Sequence, residues 1–164
     1  DCTMSTLYVD TITEKTSGHR VLIAGHVVQV VQFTYDIQET STSSTFANTS
    51  FVGTITPSSS TSKVLALCQV AFMNYATTGQ TGRGKGRLYR DANNTSGDIV
   101  AGGYNYGGNG ILVNHTAALN WLDSPATTSA TTYTFQIAHI NGSQTRLNYG
   151  ADVDSHMILM EIAQ

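Results

Sequence analysis

SFVGTITPSSSTSKVLALCQV, residues 50–70, places a Ser/Thr/Pro cluster between two apolar runs. The second run, from Val64 to Val70, does not alternate cleanly between apolar and polar residues, as a half-buried strand would. It therefore predicts an inner strand of a β-sandwich, because a sandwich buries one face of each sheet in the core. The other face also needs cover, either from a long loop or from another copy of the chain.

The composition favours an all-β domain. The chain has 164 residues and a mass of 17.5 kDa, which fits one domain with a short appendage. Ser, Thr, Tyr and Gly are abundant, whereas good helix formers such as Glu, Lys and Arg are scarce. Charged residues make up only 12% of the chain, about half the usual share.

The charge balance disfavours several classes of partner. The net charge of −3 and the isoelectric point of about 5.9 argue against a nucleic-acid partner. No apolar run is long enough for a transmembrane helix, so membrane insertion is not expected, and no signal peptide is recognised. Cys2 and Cys68 lie far apart in the sequence and are interpreted as free thiols, Cys68 as a small buried apolar residue.

The order of predicted segments gives two parts. Residues 1–35 are predicted to form an extended N-terminal attachment or assembly segment, in which VVQVVQFTY favours strand over helix because of its valines. Residues 36–164 are predicted to form an antiparallel β-sandwich of the jelly-roll type. Residues 36–50 are a polar linker or an edge strand. The predicted strands cover 51–56, 63–75, 84–91, 97–101, 110–121, 131–140, 145–149 and 156–163.

Two short motifs deserve a structural prediction. INGSQ, residues 140–144, has Asn-Gly at its centre and predicts a hairpin between 131–140 and 145–149. GQTGRGKG, residues 79–86, satisfies the spacing of a phosphate-binding loop, but Gly86 stands where Ser or Thr should follow the lysine. A strand rather than a helix is predicted to follow it, so a Gly-rich turn with solvated cations, or a weak anion site, is the preferred interpretation.

No residue constellation predicts an enzyme. The five histidines show no metal-ligand spacing, although His139 and His156 would meet if their two strands were adjacent. Asp152 and Asp154 share a turn, where capping is commoner than Ca²⁺ binding. No G-x-S-x-G elbow is present. The sequence thus predicts no catalytic residue, no metal site and no cofactor.

The loop GGYNYGGNG, residues 102–110, supplies the candidates for ligand or receptor contact. Its tyrosines and amides suit sugar rings or a flat protein surface, or else fold back onto the sandwich. Trp121 ends an apolar strand, where packing and ligand stacking are both open. The candidate contact residues are Tyr104, Asn105, Tyr106, Asn109 and Trp121.

Several phrases, in order, resemble small tail-fibre and appendage proteins of bacteriophages, especially marine and cyanobacterial phages. They are MSTLYVDTITEKTSGHRVLIAGHVVQVVQ, FVGTITPSSSTSKVLAL, GRLYRDANNTSGDIV and HMILMEIAQ, and together they span nearly the whole chain. The chain departs from the family at Ala92, where the family has Gly in a turn, so the conformation of that turn is left open.

The resemblance implies a non-enzymatic virion structural protein: a homotrimeric tail fibre or appendage with a sandwich similar to the C1q/TNF jelly roll. It further implies that the N-terminal segment binds other virion proteins, that a host surface glycan or protein is a possible partner, and that the first and last strands meet at the trimer centre. A capsid or neck fibre, a decoration protein and a stand-alone carbohydrate-binding module are the alternatives. A polysaccharide-degrading spike ranks last.

Overall fold

The computed structural model describes residues 23–76, 79, 81–104, 110–150 and 153–164, and every regular element among them is a β-strand. No helix in these ranges is long and apolar enough to cross a membrane. The strands are β1 Val27–Tyr35, β2 Glu39–Ser41, β3 Ala47–Ile55, β4 Lys63–Ala76, β5 Thr81–Asp91, β6 Asn94–Thr95, β7 Ile99–Tyr104, β8 Ile111–Asp123, β9 Thr131–Asn141, β10 Gln144–Leu147 and β11 Ser155–Ile162.

The strands form two antiparallel sheets packed face to face. The six-stranded sheet has β4 at its centre, with β8 on one side and β11 and β10 on the other; β1 extends β11 and β2 extends β10. The five-stranded sheet runs β3, β9, β5, and β5 then pairs with β7 and β6. The predicted antiparallel β-sandwich of jelly-roll type is confirmed, whereas a specific likeness to C1q or TNF stays a prediction.

The core lies between the sheets and follows the period of two along each strand. In β4 the buried side chains begin at Val64 and continue at every second position to Phe72. Phe135 of β9 faces them from the other sheet, with its ring 5.9 Å from that of Phe72 and 6.0 Å from that of Phe51. Tilted rings at this separation combine area burial with a favourable aromatic geometry. The apolar run from Val64 to Val70 therefore lies in an inner strand, β4, one side of which packs in the core.

Six residues of the GQTGRGKG motif, Thr81–Gly86, belong to a strand that begins three residues before the predicted start at residue 84. β5 begins at Thr81, and Gly82, Gly84 and Gly86 all point into the core, where each is buried. A Cβ on Gly86 would lie 2.6 Å from the Phe72 ring and would also meet Phe135. The glycines are needed because the opposite sheet approaches so closely, and no helix follows that could hold a phosphate.

The predicted Asn-Gly hairpin is wrong. β9 belongs to the five-stranded sheet, whereas β10 pairs with β4 and β2 of the other sheet. Gly142, with φ of 96°, makes the turn, and the amide of Ser143 donates a hydrogen bond to the Tyr75 carbonyl at 3.2 Å. The turn at Asn-Gly is present as predicted. It carries the chain from one sheet to the other, because the next strand, β10, pairs with β4 instead of β9.

The N-terminal part of the described chain joins the sandwich. β1 pairs with β11 along almost its whole length, so VVQVVQFTY is a strand, as predicted. The polar stretch 36–50 contains β2 and the start of β3. The proposed role of residues 1–35 in attachment stays a prediction, since residues 1–22 lie outside the described residues.

Candidate functional site

The outer face of the six-stranded sheet carries an apolar surface that a single copy of the chain does not cover. Val30, Met160, Leu65 and Leu122 lie directly opposite one another on β1, β11, β4 and β8. Val30 at one end of this row is 57% exposed and Leu122 at the other end is 53% exposed. Four apolar side chains therefore cross the whole sheet in one line.

Neighbouring rows widen this surface. Ile158 and Leu67 lie side by side in the next row, between Gln32 and Asn120. On the other side, Ile162 pairs with Val27, which is 51% exposed. We call this surface the apolar face; it consists of Val27, Val30, Leu65, Leu67, Leu122, Ile158, Met160 and Ile162. It answers why β4 and β11 are apolar on both sides: one side packs in the core and the other forms this face.

The apolar face has little charge around it. Among the described residues, the outward side of β1, β4, β8 and β11 has one permanently charged side chain. It is Lys63, which lies opposite Ile162. Toward the other end of the strands the surface becomes polar at the row formed by Thr34, His156 and Gln69. Exposed apolar patches with a polar rim mark contact surfaces in proteins. No loop among the described residues is seen to cover this one, because Val30 and Leu122 keep over half their area exposed.

Farther along the same side, a cavity of about 240 Å³ opens between β4, β8 and the chain that follows β10. Its lining includes Ala71, Met73, Asn114, Thr116 and Tyr149. Residues 151 and 152, next to its wall at Val153, lie outside the described ranges. Among the described residues the lining also includes His115, whose Nε2 is buried without a hydrogen-bond partner, and it contains no carboxylate or thiol.

Buried polar groups anchor the ends of the sandwich. The carboxylate of Asp123 accepts a hydrogen bond from the Tyr133 hydroxyl at 2.8 Å and pairs with Arg90, whose Nε lies 2.7 Å away. Burial, together with the hydrogen bond to Asp123, raises the pKa of Tyr133 far above its usual range. Cys68 is a free, buried thiol, as predicted, and burial raises its pKa to about 12.

Of the five predicted contact residues, Tyr104 and Trp121 lie in the described part of the chain. Tyr104 ends β7; its side chain is 45% exposed, and its hydroxyl donates to the carbonyl of Gly79 at 3.2 Å. Asn105, Tyr106 and Asn109 lie outside the described residues. Trp121 on β8 sets its ring edge-on against Tyr133, with the centroids 5.5 Å apart, and packs against the core. Trp121 and Tyr104 belong to different sheets, and the contact role of all five residues stays a prediction.

Metal ligands do not assemble in the described part of the chain. No group of three His, Cys, Asp or Glu side chains is close enough to hold an ion in residues 23–76, 79, 81–104, 110–150 and 153–164. The adjacent placement considered for His139 and His156 is wrong, because their strands, β9 and β11, belong to different sheets. Of the Asp152 and Asp154 pair, only Asp154 lies within these ranges.

No protein-family model matches the chain, and no curated protein matches it. Among solved structures, the VP2 subviral particle of infectious bursal disease virus is 16% identical with a TM-score of 0.44; the match covers 82% of this chain and 32% of that chain. The Gt strain of the same virus is 11% identical with a TM-score of 0.36, covering 94% and 43%. The chain thus spans less than half the length of these viral chains, and likenesses this distant do not extend to function.

Proposed function

We propose that the chain is a non-enzymatic structural protein of a bacteriophage virion, a tail fibre or similar appendage that assembles as a homotrimer. The observation that carries the proposal is the apolar face, whose two exposed ends are Val30 and Leu122. A surface of this kind is costly to leave in water, at about 25 cal/mol for each Å² of apolar area. Copies of the same chain that cover it provide a stable arrangement without any further partner.

The trimeric state and the location in a virion are proposed from the sequence resemblance. The phrases that resemble phage appendage proteins include β1 and β11, the two strands that carry much of the apolar face. In the proposed trimer these strands lie near the common axis, and each apolar face packs against its neighbours. The polar row at Thr34, His156 and Gln69 then marks the rim of the contact.

The N-terminal segment is proposed to attach the trimer to other virion proteins. Because β1 is part of the sandwich, a deletion that tests attachment must stop before Val27. Removal of residues 1–22 is expected to leave the trimer intact and to prevent its incorporation into particles. The measurement is mass spectrometry of purified particles made by the virus that encodes the chain. Absence of the full-length protein from those particles would contradict the proposal.

Host contact is proposed for Tyr104, which is 45% exposed, and for Tyr106 of the same 102–110 loop. Particles that carry Tyr104→Ala together with Tyr106→Ala should adsorb to host cells more slowly than wild-type particles, with unchanged protein content. Trp121→Phe tests the remaining described candidate separately, because Trp121 lies on the other sheet and packs against Tyr133 and the core. Equal adsorption of wild-type and double-variant particles would remove the loop from the proposal. A monomer that binds neutral glycans through this loop would instead favour a stand-alone carbohydrate-binding module.

A further inference from the structure

The outer face of the five-stranded sheet carries a row of cations that the function proposed above does not use. Arg83, Lys85 and Arg87 occupy alternate positions of β5, so all three point outward while the glycines between them point into the core. Alternate residues of a strand are about 6.5–7 Å apart, which sets the spacing of the three charges. We call these three residues the cationic strip.

No carboxylate neutralises the cationic strip within the described residues. The ion pairs found there join Arg90 to Asp91 and to Asp123, at the far end of β5. Arg87 instead donates from Nε to the amide oxygen of Gln136 at 2.8 Å, which satisfies a donor but leaves the charge in place. The strip is therefore a local positive surface on a chain whose net charge is −3.

An aromatic ring holds two of these charges together. Lys85 Nζ lies 4.6 Å from the centroid of the Phe46 ring, and Arg87 Cζ lies 4.0 Å from it. Each cation gains from the ring, but the two like charges are also brought near one another. A bound anion would relieve that repulsion, and the side chains would lose little freedom on binding because the ring already restrains them.

Uncharged hydrogen-bonding groups flank the strip. The exposed Asn48 lies in register with the buried Gln136, which pairs with Arg87 and donates a hydrogen bond of 2.7 Å to the amide oxygen of Asn48. At the other end of β5, Tyr104 pairs with Thr81, so its exposed side chain lies on the same face. Amides and hydroxyls beside cations match a ligand that has both hydroxyl and acidic groups.

We propose that the cationic strip binds an acidic polysaccharide, with carboxylate or sulfate groups on Arg83, Lys85 and Arg87 and sugar hydroxyls on the exposed Asn48. A nucleic acid is disfavoured because only three cations meet it and the chain as a whole is acidic. The site lies on the five-stranded sheet, whereas the apolar face lies on the six-stranded sheet. The proposal therefore holds whether or not the chain is a trimer or a virion protein.

The test compares two variants that remove the same charges from different sheets. Lys85→Gln with Arg87→Gln removes most of the strip. The matched control is Lys63→Gln with Arg146→Gln, which removes one lysine and one arginine from the six-stranded sheet. Circular dichroism and light scattering establish that both variants keep the fold and the mass of the wild type.

Binding is measured by isothermal titration calorimetry with dextran sulfate and polygalacturonate, which separate sulfate from carboxylate ligands, and with neutral dextran. We expect wild type and control to bind one or both acidic polymers with similar affinity. The strip variant should bind the same polymer about tenfold or more weakly. Binding by wild type and control should weaken as the salt concentration rises. Neutral dextran should not bind. Failure of the wild type to bind either acidic polymer, or equal binding by both variants, would overturn the proposal. Tighter binding to single-stranded DNA of equal charge would overturn the choice of polysaccharide.

Discussion

The carboxylate of Glu161, near the end of the last strand, accepts two hydrogen bonds from Ser58: one from its amide at 2.8 Å and one from its hydroxyl at 2.7 Å. Gln29 of the first strand donates a third at 2.6 Å. Glu161 is completely buried, so these donors replace the water that the charge loses. One carboxylate thus joins the Ser/Thr/Pro loop between β3 and β4 to the edge strand β1 and to its neighbour β11.

This arrangement predicts that the free energy of unfolding falls at acid pH. Burial acts to raise the pKa of Glu161, but hydrogen bonds from Ser58, Gln29 and Ser62 outweigh it, so the folded pKa lies below its usual value. The contribution is therefore fully present above the unfolded pKa of about 4.3 and is lost as the pH falls through the folded pKa. Glu161→Gln should cost about 2 kcal/mol at pH 7 and less at pH 3.

Urea unfolding at a series of pH values measures this difference. Asp98→Asn is the control, because Asp98 is exposed and makes no hydrogen bond among the described residues. It should follow the wild-type curve. If Glu161→Gln were less stable than wild type by the same amount at pH 3 as at pH 7, the result would contradict a stabilising charge on the Glu161 carboxylate.

The close approach of the sheets at β5 gives a second prediction. Gly86→Ala places a methyl group against the rings of Phe72 and Phe135 and should lower the free energy of unfolding by about 2–3 kcal/mol. Gly97→Ala is the control, because nothing lies within 4 Å of its Cβ position, and it should change stability by less than about 0.5 kcal/mol. Chemical denaturation measures both. Equal stabilities for the two variants would mean that the sheets are not packed as described at Gly86.

The buried hydrogen bond between Tyr133 and Asp123 gives a third prediction. Tyr133→Phe should cost about 1–2 kcal/mol, because it removes one donor from a buried carboxylate that keeps Arg90. The folded pKa of Tyr133 is raised, so its contribution is complete below the unfolded value of about 10 and is lost as the pH rises above it. Wild type should therefore lose stability at alkaline pH more steeply than the variant.

Tyr89→Phe provides the comparison, because Tyr89 is on β5, which pairs with the strand of Tyr133, but its hydroxyl has no hydrogen bond within the described part of the chain. Thermal unfolding between pH 8 and pH 11 distinguishes the two tyrosines. Parallel pH curves for wild type and Tyr133→Phe would show that the hydroxyl of Tyr133 is not in contact with Asp123.

The fold was predictable from the sequence where side chains alternate or where both faces are apolar. The apolar run in β4 and the alternation in β9 both follow directly from what each strand must bury. β5 began earlier than predicted, because Gly82 and Gly84 look like turn residues, and only their contact with the opposite sheet explains them. The Asn-Gly turn was misread for a related reason: local residues fix the bend, whereas the partner of the next strand is fixed by tertiary pairing.

The candidate site was predictable only in part. The doubly apolar strands pointed to a covered surface, but its membership depends on register, which aligns Val30 with Met160, Leu65 and Leu122 from four distant segments. The role of Glu161 was not foreseen, since a lone glutamate in an apolar strand carries no signal of its three donors. The cationic strip was recognised as a run of charges, but its alignment on one face requires the strand.

The apolar face gives a fourth prediction, on assembly. Val30→Lys with Leu122→Lys adds two charges at exposed ends of the face, so the single chain should fold normally while association is lost. Val52→Lys with Val100→Lys is the matched control, because both valines are exposed on the five-stranded sheet, at 43% and 51%. This control should keep the mass of the wild type by size-exclusion chromatography with light scattering. Dissociation of both variants alike would show that added charge, rather than the face, is responsible.

The most direct test of the proposed assembly is the mass of the unmodified protein in solution, measured by light scattering over a wide range of concentrations. The proposal predicts a stable particle with three times the 17.5 kDa mass of one chain, maintained on dilution. A particle with the mass of one chain at every concentration would contradict it, because the apolar face would then remain exposed to water.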